Sequence, residues 1–595
     1  VVKYFLMNQA ELLARLIGIE WNDFECKRAQ RGVPEDAYKT VSAFSNTAGG
    51  WLVFGVSETQ GRLEITGVEE PDKVQNDFLT VLRSGQKLNR VITVDARHFD
   101  IDGKHVFAFY VPESPRMEKP VYLKGDPRQS YIRRGAGDEQ CTPRELGHLL
   151  RDASQVRYDS EILTDFSADK CFDVDTVNWY QDHFARRSPE HAKIVNPNDF
   201  LLNWNFIVER DSQRFPTRAA VLLFGDDRYV RQILPKPVLD YQRIDTAFDH
   251  WSSVQRWHDR YVFEENIFKT WQGLISRYMR IAERPFSIDP KTLRRNDDPP
   301  DYVAFREAAI NLLIHQDYGD HGRKASIRLF ADRTVFWNPG DSLATEAELL
   351  DPTEKEVRNP SIVKAFRRIG LSDQAGTGIR AIFRNWHDLG RVPPRLTSDK
   401  GGQAFELVLL NKPLVTGAMR HLSQTLGTHL TPEQTDTLAL ALSLPVGEPL
   451  SLTAIRSLGF ATTQQARAVA DDLVREQLLE PLSATQFQAP EAVRQRFTQG
   501  ETSPTEQVTA EVTAEVTAEV TAEVRRLLAV MSGEMKRADM QQAIGLKHEK
   551  HFRDAYLLPA LAVGVIEMTH PDKPQSSKQR YRLTAQGKAA LDWRS

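Results

Sequence analysis

Polar and apolar positions mark the chain's elements before any chemistry is considered. Phe24-Glu25-Cys26-Lys27 alternates, which predicts a short strand with Phe24 and Cys26 on one face and Glu25 and Lys27 on the other. Trp51 to Val56 is almost wholly apolar, as in a strand buried on both faces, and Gly49-Gly50 supplies the turn before it. Farther on, Phe215 to Gly225 reads as a helix start leading into a buried strand, and Pro235 to Asp245 as a second strand. Phe305 to Tyr318 keeps apolar residues around most of a helix, with Glu307, Asn311 and His315 spaced four apart along one side. Ser326–Phe330 and Arg333–Trp337 read as strands joined by Ala331-Asp332, and Gln403–Leu410 closes this region as a third.

The fold class expected from these elements is multidomain α/β (α+β). A chain of 595 residues is too long for one core and divides into about three to five domains. Its net charge of −4 announces no overall affinity for nucleic acid, so any such binding must come from local patches. Cys26, Cys141 and Cys171 are far apart without CxxC spacing, which argues against a disulfide framework or a zinc site and fits a reducing cytoplasm. Phe5-Leu6-Met7 is followed at once by Asn8, Gln9 and Glu11, so no secretory leader is read, and no apolar run reaches membrane-spanning length. The expectation is a cytoplasmic protein with no membrane partner.

Two stretches carry candidate chemistry. In the first, short strands would gather Glu20, Glu25 and Glu58 around Lys27, a set of hard oxygen donors suited to Mg²⁺ or Mn²⁺. The same residues also describe a solvated acidic strand edge with one salt bridge. Glu-x4-Glu-x-Lys, followed by Ala43 to Gly50, Phe54-Gly55-Val56, Pro120 to Leu123 and Tyr131 to Gly135, resembles the Schlafen-type AlbA-like domain. That resemblance implies a nucleic-acid-binding fold. It also implies, as in the Schlafen nucleases, a metal-dependent site in which Glu20 and Glu25 match the two glutamates and Lys27 the associated lysine. Glu58 stands where those nucleases carry an aspartate. Arg133 and Arg134 are the domain's candidate nucleic-acid contacts.

In the second stretch, the polar line on the buried helix asks for a partner. A nucleotide with Mg²⁺ would supply one: Glu307 orienting water, Asn311 holding the metal and His315 touching phosphate. Gly376-Thr377-Gly378 opens a later helix, as a phosphate-binding turn or simply as a glycine cap. The ordered set resembles the GHKL (Bergerat) ATPase domain in its divergent, helicase-related form. The resemblance implies Glu307 as catalytic base, Asn311 as Mg²⁺ ligand, Asn338 and Gly340 as the adenine-contacting box, and Gly376 with Gly378 as the second glycine box. Asn338 replaces the family's usual aspartate. Its side-chain oxygen still accepts from an adenine amino group, while selectivity for adenine stays open. No Walker A motif accompanies these residues.

The chain therefore divides into an AlbA-like domain at 1–155, an α/β connection at 156–260 and a GHKL domain at 261–412. A winged-helix-like domain follows at 413–500, with helices capped at Ser451 and Thr462. Residues 501–524 end in four Val-Thr-Ala-Glu repeats, a linker or an oligomerisation strap, which leads to an expectation of a homo-oligomer. A basic segment at 525–595 resembles a DNA-binding winged helix, with Lys547, Lys550 and Arg553 toward the backbone and Lys578 and Arg580 on the wing. Three readings follow: a nuclease gated by ATP and serving phage defence or stress response, an ATP-switched DNA-binding regulator without cutting, and a scaffold with vestigial sites.

Overall fold

The computed structural model describes residues 7–17, 23–59, 62–189, 196–252, 257–281, 300–351, 353, 355–372, 376–425, 430–483, 485–501, 522–531, 533–544, 552–562, 565–569 and 580–584. They form two compact units, one of residues 1–415 with 431–489, the other of 416–430 with 490–595.

The first unit begins with a four-stranded sheet ordered Phe24–Lys27, Gly50–Phe54, Lys104–Val111, Asp95–Ile101. Phe24–Lys27 runs parallel to Gly50–Phe54, and the remaining pairs are antiparallel. The expected alternation holds, but both faces are covered. Phe24, Trp51 and Val53 pack with Leu12 and Leu16 on one side, while Leu52, Phe54 and Phe109 pack with Val41, Phe44 and Phe78 on the other. Glu25 pairs in register with Leu52, and it is buried. A carboxylate there must be compensated, and this governs the candidate metal site.

The helix Ala37–Asn46 ends on a buried asparagine. Asn46 Nδ2 donates to the Val121 carbonyl at 2.8 Å and to the Tyr131 carbonyl at 3.0 Å, and its Oδ1 accepts from the Val121 N–H at 2.7 Å. Ser42 Oγ donates to the same Val121 carbonyl at 2.7 Å. The Ser-Asn motif is thus a structural clasp between this helix and the 120–131 segment.

The second sheet has six strands, ordered Asp259–Phe263, Leu239–Arg243, Ser326–Leu329, Arg333–Pro339, Ala404–Leu410, Arg395–Asp399. Leu239–Arg243 runs parallel to Ser326–Leu329, and its other neighbour, Asp259–Phe263, is antiparallel. The expected boundary at 260/261 therefore falls inside one sheet. Residues 239–263 supply two of its strands, and one core joins Tyr180, Phe224 and Phe268 to Ile310, Phe336 and Leu407. The stretch Phe215–Gly225 also departs from expectation. Thr217 accepts from the Ala220 N–H and caps a helix, Arg218–Phe224, with every residue from Ala219 to Phe224 buried. An apolar run this short cannot distinguish a buried helix from a buried strand; the cap decides.

Residues 431–489 follow the order helix, strand, helix, helix, strand, strand, with a three-stranded sheet of Leu450–Ser451, Gln486–Gln488 and Glu480–Pro481. The caps at Ser451 and Thr462 form as read. In the second unit, Val524, Leu527, Met540, Phe552, Ile566 and Tyr581 form a small core. The repeat before Ala522 lies outside the described residues, and so does the strap read from it. Among the described residues no helix is long and apolar enough to cross a membrane.

Asn46→Ala takes a partner from the Tyr131 carbonyl and the Val121 N–H, while the Val121 carbonyl keeps Ser42, at a cost of about 2 kcal/mol. Urea unfolding of the variant is expected to show its first transition at lower denaturant than in the parent protein.

Candidate functional site

The helix Pro300–His315 lies against the six-stranded sheet with apolar residues on nearly every side, and its polar line faces a gap in the packing. That gap is a cavity of about 190 Å³. Glu307, Asn311, His315, Asn338, Gly340, Gly376 and Gly378 all line it. Seven residues read from three separate motifs thus converge.

The cavity has two chemically distinct ends. At one end, a Cβ added to Gly378 would stand 3.2 Å from Asn311 Nδ2 and 3.7 Å from Glu307 Oε2. Any larger residue would have to push the Asn311 side chain aside by a few tenths of an ångström. Gly378 begins the helix Gly378–Asp388, whose N-cap Thr377 makes no side-chain capping bond, so the main-chain donors there are left for a ligand. Asn311 Nδ2 is buried with no hydrogen-bond partner among the described residues, an orphan that a bound molecule would satisfy. Gly376, two residues earlier, takes φ +65°. This end fits a polyphosphate with Mg²⁺: Asn311 and Glu307 offer oxygens, and a hard cation there would offset phosphate charge.

At the other end, Asn338 is buried, and its Nδ2 donates to the carbonyls of Pro339 at 3.1 Å and Gly340 at 3.4 Å. Its Oδ1 is therefore the side chain's acceptor. Gly340 has φ +96°, and a Cβ there would stand 3.0 Å from Asp317 Cβ and 3.1 Å from Arg358 Nε. His315 is held neutral, its pKa lowered to about 4 by burial and by the charge of Arg358. A neutral imidazole suits a base or a sugar better than a phosphate.

Arg358 belongs to none of the motifs read above, and Arg358-Asn359-Pro360 stands where a helix could open. It does open one: Asp159 accepts from the N–H groups of Ser361 and Ile362, while Asn359 Nδ2 donates to the carbonyls of Ile314 and Gln316 at the end of the central helix. Arg358 itself is buried, with Nη1 2.6 Å from Asp152 and Nη2 3.0 Å from Asp341. Burial alone would lower its pKa; Asp152, Asp317 and Asp341 outweigh that and raise it. Asp341 is shifted upward because burial outweighs Arg358 and Lys400.

Asp152 belongs to the helix Pro143–Ala153, which follows the AlbA-like sheet in the chain. The same helix sends His148 to Asp317 at 2.9 Å, Arg151 also to Asp317, and Arg144 to Asp320 at 2.7 Å. Lys400 reaches Glu113 at 3.0 Å and Arg134 reaches the Gly401 carbonyl at 2.9 Å. The AlbA-like domain is thus fastened to the wall of the cavity by buried charge.

The first candidate site looks different. Glu25 is ion-paired to Lys27 at 2.6 Å and to Arg133 at 2.8 Å, and Arg133 also meets Asp138 at 2.9 Å. Arg133 is buried, so as placed it compensates Glu25 rather than facing solvent. Arg134 is committed to Glu139 and Glu145. Glu58 is exposed on Val56–Thr59, a strand beside Phe24–Lys27. Glu20 lies outside the described residues. Among the described residues no three His, Cys, Asp or Glu side chains are grouped to hold a metal ion. In the second unit Arg553 and Arg580 are exposed, whereas Lys547, Lys550 and Lys578 lie outside the described residues.

Residues 20–142 match the family model of the Schlafen AlbA_2 domain, and residues 322–409 match the model described as ATP-dependent DNA helicase recG C-terminal. These two bear out the resemblances read from the motifs, in the same order along the chain. Residues 147–240 match a domain of unknown function, and residues 522–584 match the C-terminal domain of Fic-like proteins (filamentation induced by cAMP). No curated protein matches the chain. Among solved structures, a protein from Corynebacterium diphtheriae is 18% identical with TM-score 0.37, over 94% of each chain. The N-terminal domain of an ATP-dependent DNA helicase RecG-related protein from Nitrosomonas europaea is 32% identical with TM-score 0.19, over 23% of this chain and 95% of that one. A Fic family protein from Desulfovibrio desulfuricans is 17% identical with TM-score 0.13, over 53% of this chain and 94% of that one. The matched domains point to ATP and nucleic acid.

The charged fastening has a calculable pH dependence. Burial would raise the Asp320 carboxyl, but Arg323 and Arg144, with the Gly322 N–H, hold it down to about 2 from the ordinary 3.8. A depressed carboxylate stabilises the fold above its unfolded pKa, and that contribution is lost as pH falls through the folded value. Asp320→Asn is therefore expected to cost about 2–3 kcal/mol at neutral pH. In urea unfolding, its difference from the parent should stay constant down to about pH 4 and shrink between 3.8 and 2.

Proposed function

We propose that this chain is an ATP-binding protein whose nucleotide-binding domain controls an attached AlbA-like nucleic-acid-binding domain. The observation that carries the reading is the convergence of Glu307, Asn311, Asn338, Gly340, Gly376 and Gly378 on one cavity with an orphaned amide at its phosphate end. Base choice follows from Asn338. With Nδ2 committed to two main-chain carbonyls, the side chain offers an acceptor, which suits the exocyclic amine of adenine and opposes the oxo group of guanine. Glu307 is the group suited to orient a water should ATP be hydrolysed. Residues 431–489 have the element order of a winged helix, and Arg553 and Arg580 give the second unit exposed basic charge; both support contact with DNA.

A second reading, a metal-dependent nuclease using Glu20, Glu25 and Glu58, rests on the strand carrying Glu25 and Lys27 lying beside the strand carrying Glu58. For that activity Glu25 must exchange its arginine and lysine partners for the metal. Phage defence or a stress response would be the setting for either reading, and self-association through the repeat remains part of the proposal.

One experiment separates these readings. The purified chain would be titrated with ATP and GTP with and without Mg²⁺, then offered tRNA, single-stranded DNA and duplex DNA with Mn²⁺ or Mg²⁺ in the presence and absence of ATP. ATP is expected to bind at least about tenfold tighter than GTP, and Asn311→Ala to weaken Mg²⁺-ATP by a similar factor. Equal binding of ATP and GTP would remove the base assignment, and an unaltered titration of Asn311→Ala would remove the helix assignment. Nucleic-acid binding that changes with ATP but leaves the polymer intact supports control without cutting. Cleavage abolished by Glu25→Gln would establish the nuclease instead.

A further inference from the structure

Lys355 lies among the lining residues between Asp341 and Arg358 and has no part in the motifs that define the site. Lys355 lines the phosphate end. Its ammonium donates to the main-chain carbonyls of Asp351 at 2.5 Å and Thr353 at 2.7 Å. Among the described residues no carboxylate forms an ion pair with it. Asp351 turns its own carboxylate away to Arg456, at 2.7 Å, and the neighbouring Glu356 is held by Arg116 and Arg157. Asp351 and Glu356 are thus each paired to arginines, and among the described residues Lys355 is not paired to either of them.

Position reinforces charge. A Cβ at Gly376 would stand 2.9 Å from Lys355 Nζ and 2.5 Å from the Thr353 carbonyl, so the glycine turn and the lysine are in contact. Gly378, with Asn311 and Glu307 against it, is two residues on, at most about 7 Å of chain. An ammonium has three donors, and two are used here on neutral carbonyls, which satisfy hydrogen bonds without pairing the charge. Burial lowers the Lys355 pKa, with Asp351 and Glu348 opposing that shift, as expected of a cation lacking an anionic partner.

We propose that Lys355 is a phosphate-binding residue of this site, receiving the terminal phosphates of the nucleotide at the end opposite Asn338. The proposal rests on the nucleotide reading above and adds what recognises the length of the phosphate chain. A charge-assisted contact made only with the outer phosphates strengthens from AMP to ADP to ATP and contributes nothing to adenosine.

The test is a calorimetric titration of adenosine, AMP, ADP and Mg²⁺-ATP into the full chain, the parent beside Lys355→Gln and Lys355→Arg. Lys355→Gln is expected to weaken Mg²⁺-ATP about tenfold, with a smaller loss for ADP and adenosine within about twofold of the parent. Lys355→Arg should recover most of the loss, because the charge is kept. Retained adenosine binding certifies that the cavity is intact in each variant. Lys355→Gln binding ATP as tightly as the parent would overturn the proposal while leaving the nucleotide reading in place, and so would an equal loss for adenosine and ATP. A parent chain that binds none of the four would overturn the nucleotide reading, and this proposal with it.

Discussion

The first unit depends on one buried guanidinium. Arg358 sits between Asp152, on the helix that follows the AlbA-like sheet, and Asp341, on the loop after Asn338-Pro339-Gly340. A charge with so little exposure is tolerable only when paired, so the loss of either carboxylate removes part of its compensation. Around it the same logic repeats: Asp317 takes His148 and Arg151, and Asp320 takes Arg144 and Arg323. Hydrophobic burial alone would let two domains slide over one another. Directional ion pairs fix their register, here at the wall of the cavity.

That fixing also positions the site. Asn359 holds the carbonyl end of the central helix, and Asp159 caps the next helix, so the chain around Arg358 sets where His315 and Asn311 stand. The central helix cannot position its own polar line, because it is apolar on nearly every side and would pack in more than one rotation. Its orientation comes from the polar clamp at its end together with the close approach of Gly378.

Much of this site was legible in the sequence because its signals are local. Four-residue spacing put Glu307, Asn311 and His315 on one side of a helix, and glycines marked where the main chain must come close. What escaped were pairings between distant segments. Nothing local to Arg358 names Asp152 as its partner, 206 residues away. Nothing local to Glu25 says that the face it shares with Leu52 is covered by a helix and that Arg133 arrives to neutralise it. For the same reason Arg133 read as an exposed nucleic-acid contact, although its neighbours in space make it a buried counter-ion. The strands at 239–263 were recognisable as strands, but their membership of the later sheet is a parallel pairing across more than 80 residues of sequence, which periodicity does not encode.

The arrangement constrains how the domains can communicate. The cavity's base end carries Asp341 and Arg358, tied to the AlbA-like domain through Asp152; its wall carries Glu356, tied to Arg116 and Arg157, and Asp351, tied to Arg456 of the 431–489 segment. A ligand that alters the wall must therefore work against ion pairs on two flanks, and it shifts their equilibrium only by its differential affinity for the two wall positions. By linkage the effect is reciprocal: whatever pulls Asp152 away from Arg358 changes the affinity of a ligand in the cavity by the same free energy. Surface ion pairs would transmit little, since solvent screens them and their side chains reorient. Arg358 and Asp317 are buried, so the link between cavity and AlbA-like domain runs through the part of the structure least able to absorb a displacement.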